Sequence, residues 1–219
     1  MAESSRSHGP DGSVRSGISR RTFLKHGGTS AVGAALLEAG AAQAAVDSSM
    51  QDGANEVLGP GPIPIDLTIN GRRVPVQAEP ATTLVDILRN HLGLTGTKIG
   101  CDRGACSACT VWLDGQPASS CMTLALDARG RSITTIEGLA DGDNLHPVQQ
   151  AFVEHDALQC GFCTPGMVMS CAALINRKPD AGIEDVKAAI SGHLCRCGTY
   201  PNIFAAVLAV ASENRRRGT

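Results

Sequence analysis

The cysteines are the feature that most constrains the fold of this chain, because they are numerous and fall in tight groups. Nine occur among 219 residues, and none of them lies in the first hundred. Buried thiols that serve only as small apolar side chains have no reason to cluster in this way. The spacing therefore indicates either disulfide bonds or sites that hold metal.

The first group has the spacing C-x4-C-x2-C, with a fourth cysteine further along the chain. This spacing is typical of the plant-type [2Fe–2S] cluster. Residues 100–109 are rich in Gly, Ala and Ser, whose small side chains let backbone N–H groups approach the cluster sulfurs. A zinc site, which commonly uses two C-x2–4-C pairs, and a disulfide pair are the alternatives. The predicted ligands are Cys101, Cys106, Cys109 and Cys121.

The second group combines a C-x2-C pair with a C-x-C pair some thirty residues later. Each pair lies at a junction between predicted helices, so two junctions that face each other would surround one site with four thiolates. A disulfide within the C-x-C pair would close a strained ring. Spacing alone leaves zinc open as an alternative to a second cluster. The predicted ligands are Cys160, Cys163, Cys195 and Cys197.

The first 44 residues have the parts of an export signal. An Arg-Arg pair within Ser19–Lys25 is typical of a twin-arginine signal, and an Ala-x-Ala cleavage site ends at Ala44. The stretch between them is only mildly apolar, which argues against a stable membrane span. The alternative is a basic leader that contains Arg-Arg by chance. Because the twin-arginine pathway carries folded proteins, export to the periplasm by this route favours a cofactor over disulfides.

Residues 63–140 are expected to form a small sheet covered by one helix. Asn70-Gly71 and Asp114-Gly115 are strong hairpin turns between short runs of alternating apolar residues. A polar, Gly- and Pro-containing lead-in over residues 45–62 precedes this half. The predicted strands are 65–69, 73–76, 110–113, a short strand leading to Cys121, and 132–136, and the predicted helix spans 84–91 and is capped by Thr82 or Thr83.

Residues 141–213 have helical spacing of apolar residues and are expected to be all-α. Thr164 is predicted to cap a helix that has Pro165 at its first position. Residues 214–219 are interpreted as a basic, frayed tail. The chain as a whole is therefore assigned to the α+β class. The predicted helices are 146–158, 165–176, 183–191 and 202–213.

Two residues near the second group are not predicted to bind metal. Cys171 lies inside a predicted helix among apolar residues and is expected to be a buried, inert thiol. His193 is close to Cys195, but a Rieske-type site needs two histidines, and eight cysteines already complete two sites.

The formal net charge is -2, and the chain has no basic stripe with aromatic residues, so nucleic-acid binding is not indicated. No nucleophile–base set or phosphate loop is evident, so no catalytic residue is assigned.

Three stretches, 100–109, 159–166 and 195–198, together resemble the small iron–sulfur subunit of the xanthine dehydrogenase/aldehyde oxidase family of molybdenum hydroxylases. The resemblance runs over residues 63–212 and, with the leader, is closest to the iron–sulfur subunits of periplasmic aldehyde oxidoreductases. It implies a β-grasp ferredoxin-like domain over residues 63–140 and a four-helix domain over residues 141–213. Each domain would hold one [2Fe–2S] cluster.

The resemblance also implies two partners, a large molybdopterin-binding subunit and an FAD-binding subunit. Electrons from a substrate such as an aldehyde, oxidised at molybdenum, would pass through the helical domain and then the ferredoxin-like domain to FAD. Gln159 occupies the position of a glutamine that contacts the pterin in this family; otherwise it is an ordinary polar loop residue. The competing hypotheses are a free-standing ferredoxin and an exported binding module stabilised by zinc or disulfides.

Overall fold

The computed structural model describes residues 59–218, all of which belong to one compact unit. The predicted signal peptide and the lead-in as far as residue 58 lie outside the described residues. Within residues 59–218, no helix is long and apolar enough to cross a membrane.

A β-hairpin begins the described part of the chain. Strand β1 (Ile63–Ile69) pairs antiparallel with β2 (Arg72–Ala78), and both turn residues, Asn70 and Gly71, have positive φ (50° and 75°). That conformation matches the right-handed twist of the flanking strands, as the Asn-Gly pair predicts. Every second residue of β1 points into the core, so alternation in the sequence has become a buried face.

The sheet has five strands in the order β2-β1-β5-β3-β4. The last three are β3 (Thr110–Leu113), β4 (Gln116–Ser119) and β5 (Ser132–Thr134). Strand β5 lies between the two hairpins, parallel to β1 and antiparallel to β3. It ends two residues earlier than expected, because residues 136–138 form a short 3-10 turn.

A short helix covers the sheet where the sequence predicts one. Helix α1 (Leu84–Asp86) continues as a wider π-type turn over Ile87–His91. Its N-cap is Thr83, whose hydroxyl accepts a hydrogen bond from the Asp86 N–H. Leu84, Ile87 and Leu88 are fully buried and pack with residues of β1, β3 and β5 in the core of the first half.

The second half of the described residues is helical. Helix α2 spans Pro147–Glu154, α3 spans Thr164–Arg177, α4 spans Ile183–Ala189 and α5 spans Tyr200–Arg217. With α1, the part of the chain that the structure describes contains five α-helices. A second core unites these four elements around fully buried side chains: Phe152, Met167, Met169 and Ile203.

Two details of the helix ends differ from the prediction. The N-cap of α3 is Cys163, so Thr164 is already the first helical residue. Helix α5 continues to Arg217, which forms an ion pair with Glu213 one turn earlier, so the expected frayed tail is helical through that residue. An i,i+4 pair of this kind adds a few tenths of a kcal/mol to a helix end, roughly 0.3–0.5 kcal/mol.

The sheet and the helical half are joined by a buried hydrogen bond. Trp112 in β3 donates its indole Nε1–H to the Met169 carbonyl of α3 at 2.8 Å. An indole N–H that is buried needs such an acceptor, since leaving it unpaired costs free energy. Strand β3 therefore packs on α3, and this contact brings the cysteine loops of both halves to the same region.

Candidate metal centres

The first cysteine group lies on the loop between α1 and β3, with its fourth member just after β4. Cys109 and Cys121 are buried, whereas Cys101 and Cys106 are partly exposed. The loop curls tightly because Gly104 has a φ of 72°, a left-handed conformation that costs glycine nothing. The structure brings the Cys101 thiol close to that of Cys106, and the Cys109 thiol close to that of Cys121.

Backbone N–H groups point at the sulfurs of this group. Ala105 N lies 3.2 Å from Cys101 Sγ, and Gly104 N lies 3.3 Å from Cys121 Sγ. The N–H of Arg103 is the main cause that lowers the pKa of Cys101 to about 7, so this thiol ionises readily. Burial raises the pKa of Cys121 to about 11, so this thiol needs a positive metal beside it to become a thiolate.

Gly100 is required by the space around the first group. A Cβ at this position would lie 2.9 Å from Cys106 Sγ, closer than carbon and sulfur can approach without displacement. The loop therefore packs its backbone directly against the Cys106 sulfur, which only glycine permits. This close packing of backbone around sulfur suits a cluster whose sulfurs accept hydrogen bonds.

The second cysteine group lies on two turns that face each other. Cys160 and Cys163 lie between α2 and α3, and Cys195 and Cys197 lie between α4 and α5. The thiols of Cys163 and Cys195 are within hydrogen-bonding reach, and Cys163 also interacts by charge with Cys160. Cys197 is half-buried and directs its backbone N–H to the Cys195 sulfur.

The second-group thiols have opposite acidities. Burial, followed by the neighbouring Cys195 thiol, raises the pKa of Cys163 to about 12. Burial acts in the same direction on Cys195, but hydrogen bonds from the hydroxyl and N–H of Thr199 outweigh it and lower the pKa of Cys195 to about 7. The protein therefore favours the thiolate form of Cys195, whereas Cys163 requires a nearby metal ion to ionise.

The thiols meet in pairs and do not converge on a single point. Among residues 59–218, no set of three or more His, Cys, Asp or Glu side chains surrounds one ion position. The pairs in hydrogen-bonding reach are Cys101 with Cys106, Cys109 with Cys121, and Cys163 with Cys195. A [2Fe–2S] cluster distributes four thiolates over two irons, and thiols that lie in pairs fit such an arrangement.

Two hydrogen bonds join the cysteine loops, one between backbone groups and one from a serine side chain. Leu194 N donates to the Cys106 carbonyl at 3.2 Å, and Ser107 Oγ donates to the Gly192 carbonyl at 3.1 Å. Gly166 makes this approach possible, since a Cβ there would lie 2.3 Å from the Ser107 carbonyl oxygen. The loop of one group is thereby hydrogen-bonded to the loop of the other.

His193 is buried beside this contact, with 7% of its surface exposed. Its Nε2 lies 2.9 Å from Ser170 Oγ and 3.1 Å from the Gly166 carbonyl oxygen, and burial lowers its pKa. These two contacts hold the imidazole ring against α3. Cys171 is fully buried inside α3, as expected of an inert thiol.

Two functional candidates were not found by sequence reasoning. The Tyr200 hydroxyl accepts a hydrogen bond from Cys195 N at 2.9 Å and donates to the His193 carbonyl at 2.8 Å. The Thr199 hydroxyl lies 3.2 Å from Cys195 Sγ. Their only signal in the sequence is the position just after a C-x-C pair, at the start of an apolar helix.

Gln159 and two apolar side chains that are close in sequence to the second group are exposed. Gln159 precedes Cys160 on the outside of the turn. Phe162 and Leu194 are 49% and 62% exposed. Exposed large apolar side chains can mark a surface that another protein covers.

Comparison with known proteins agrees with the interpretation of the two cysteine groups as iron–sulfur sites. Residues 67–133 match the 2Fe-2S iron-sulfur cluster binding domain family, and residues 135–208 match the [2Fe-2S] binding domain family. The aldehyde oxidoreductase iron-sulfur-binding subunit PaoA of Escherichia coli O157:H7 is 37% identical over 90% of this chain and 89% of its own length. The nicotine 6-hydroxylase small subunit of Paenarthrobacter nicotinovorans is 50% identical over 67% of this chain and 88% of its own.

Solved structures that superpose on this chain include those of two oxidoreductases. A chain of quinoline 2-oxidoreductase from Pseudomonas putida 86 superposes with a TM-score of 0.68 at 45% identity, over 71% of this chain and 98% of that one. The aldehyde oxidoreductase of Desulfovibrio gigas superposes with a TM-score of 0.66 at 39% identity, over 71% of this chain but 17% of that longer chain. Both alignments therefore extend over most of the described residues.

Proposed function

Because the chain belongs to the iron–sulfur subunits of the xanthine dehydrogenase/aldehyde oxidase family of molybdenum hydroxylases, we propose that it relays electrons through two [2Fe–2S] clusters. Such a cluster, when bound, accepts and releases one electron at a time. The protein holds the clusters and sets their surroundings. The proposed ligands are Cys101, Cys106, Cys109 and Cys121 for the first cluster, and Cys160, Cys163, Cys195 and Cys197 for the second.

The chemistry of the two donor sets supports this assignment. Each set contains a cysteine whose pKa is about 7, Cys101 in the first and Cys195 in the second, so thiolates are available near neutral pH. Backbone N–H groups lie at hydrogen-bonding distance from the sulfurs of the first set. A disulfide-bonded module would not need donors aimed at its sulfurs, because a disulfide carries no charge to stabilise.

The hydrogen bond from Leu194 N to the Cys106 carbonyl is the main observation that supports an electron relay between the two clusters. It joins the residue before one proposed ligand, Cys195, to a proposed ligand of the other cluster at 3.2 Å. We propose that electrons pass from the helical half to the ferredoxin-like half by way of this contact. A free-standing ferredoxin would need only the first half, so the second half argues for a fixed place in a larger enzyme.

We further propose the partners and domains of that enzyme. A large molybdopterin-binding subunit would cover the exposed surface around Phe162 and Leu194, and Gln159 would reach the pterin there. An FAD-binding subunit would receive electrons from the first cluster. The domain limits, a β-grasp domain over residues 63–140 and a four-helix domain over residues 141–213, belong to the same proposal. So does the oxidation of aldehydes or similar substrates by the partner.

A matched pair of cysteine variants tests the ligand assignment. Cys195→Ser in the assembled complex is expected to remove the electron paramagnetic resonance signal of the second cluster, leave that of the first, and stop electron flow to FAD. Cys171→Ala removes a buried thiol of α3 that no cluster uses, so both signals should persist. Two intact cluster signals in Cys195→Ser would reject the assignment.

A further inference from the structure

Thr199 places a hydroxyl group against a sulfur of the second cysteine group. Its Oγ1 lies 3.2 Å from Cys195 Sγ, and the residue is only 5% exposed. The hydroxyl is therefore shielded from water, which would otherwise compete for the hydrogen bond. The backbone N–H of Thr199 approaches the same sulfur, so one residue supplies two donors to one thiolate.

The direction of this hydrogen bond follows from the chemistry of the ligand. A cysteine that binds iron is a thiolate and has no proton to give. Only the threonine hydroxyl can then be the donor. A donor to a ligand sulfur favours the reduced form of a cluster, because reduction adds one negative charge that spreads onto the sulfurs.

We propose that Thr199 sets the reduction potential of the second cluster, by donating its side-chain hydroxyl to the ligand sulfur of Cys195. This inference rests on the proposed function, in which Cys195 is a ligand of that cluster. Thr199 lies outside the cysteine pattern, and its role would be to make the second cluster easier to reduce. The role is one of tuning and not of metal binding.

The fold fixes the threonine from both sides. The Thr199 carbonyl accepts a hydrogen bond from Ile203 N at 3.1 Å, which makes Thr199 the N-cap of α5. The next residue, Tyr200, bonds Cys195 N and the His193 carbonyl through its hydroxyl. Both the donor and the ligand loop are thus anchored to the first turn of α5.

The first cysteine group is tuned differently. The contacts to Cys101 and Cys121 come from the backbone N–H groups of Ala105 and Gly104. A substitution leaves the backbone N–H donor in place, unless the new residue is proline. The second cluster therefore has a donor that a single substitution removes, and the first cluster serves as an internal reference in the same molecule.

The test is a redox titration of the full complex, followed by electron paramagnetic resonance of both clusters. In Thr199→Val, which keeps the shape and removes the donor, the midpoint potential of the second cluster should become more negative while that of the first stays unchanged. Thr199→Ser keeps the hydroxyl and should restore the original midpoint. Thr199→Ala removes the donor without adding a methyl group, and should shift the midpoint in the same direction as Thr199→Val.

A matched control separates the hydrogen bond from the loss of a buried hydroxyl. Thr164 follows Cys163, beside the same cluster, and its buried Oγ1 has no hydrogen-bond partner. Thr164→Val should leave both midpoints unchanged. An unchanged second midpoint in Thr199→Val or Thr199→Ala, with both signals present, would overturn the inference. A missing second signal in the wild-type protein would instead contradict the proposed function.

Discussion

At the scale of single residues, the cysteines are predictable and their surroundings are not. Spacing alone identifies eight of the nine cysteines as candidate ligands. Thr199 and Tyr200 carry no such signal, because their contacts with Cys195 depend on how α5 begins relative to the cysteine loop. Gly100 is intermediate: a Gly-rich loop is evident from the sequence, but its contact with the Cys106 sulfur is not.

Replacing Gly100 by alanine is expected to disturb the first cluster selectively. The new Cβ would lie 2.9 Å from Cys106 Sγ, so loop or ligand must move. Strain of this kind costs about 1–3 kcal/mol. Iron bound per chain should fall, and the resonance signal of the first cluster should weaken or broaden while that of the second persists.

Gly61→Ala provides the control, because a Cβ there meets nothing within 4 Å. It should retain the wild-type iron content. Equal iron content and identical first-cluster signals in Gly100→Ala and Gly61→Ala would show that the close packing against Cys106 is not needed.

At the scale of elements, local signals predict each strand and helix better than they predict the arrangement. The Asn-Gly and Asp-Gly turns and the alternation in β1 suffice to place both hairpins, and helical spacing places α2 to α5. The insertion of β5 between the hairpins is a long-range pairing, in which Ser132 lies opposite Thr68. A three-residue strand carries too little pattern to predict its neighbours.

The packing of β3 on α3 should depend on the Trp112 indole. Trp112→Phe keeps an aromatic ring but removes the indole donor to the Met169 carbonyl and shortens a buried side chain. The free energy of unfolding is expected to fall by about 1–3 kcal/mol, from the lost hydrogen bond and the smaller ring. Denaturant unfolding followed by circular dichroism measures this, since the variant lacks the chain's only tryptophan.

Val153→Ala is a suitable comparison because Val153 is largely exposed on α2. Its effect should stay within about 0.5 kcal/mol. A loss in Trp112→Phe no larger than that of Val153→Ala would mean that the indole hydrogen bond contributes nothing to the junction.

At the scale of the whole molecule, the sequence predicts two metal-binding halves but not that their loops touch. The contact joins Leu194 N to the Cys106 carbonyl, two backbone groups that leave no mark on residue identity. Gly166 is required by the close approach, but in the sequence it resembles an ordinary glycine at the start of a helix. The contact that supports the proposed relay is therefore visible only in the three-dimensional structure.

Export of the full chain by the twin-arginine pathway is a proposal that needs a separate test. We expect the Arg20→Lys, Arg21→Lys double variant to remain in the cytoplasm, since twin-arginine export depends on that pair. Cell fractionation with detection of the mature protein measures the outcome. Periplasmic protein in undiminished amount in the double variant would contradict the twin-arginine assignment for residues 1–44.

The central claim is that this chain holds two [2Fe–2S] clusters on eight cysteines. The most direct measurement is the iron and acid-labile sulfide content of the anaerobically purified mature protein, with an electron paramagnetic resonance spectrum after dithionite reduction. About four irons, about four sulfides and two distinguishable rhombic signals per chain are expected. A protein without iron or sulfide, containing zinc or oxidised thiols at these cysteines, would contradict the account.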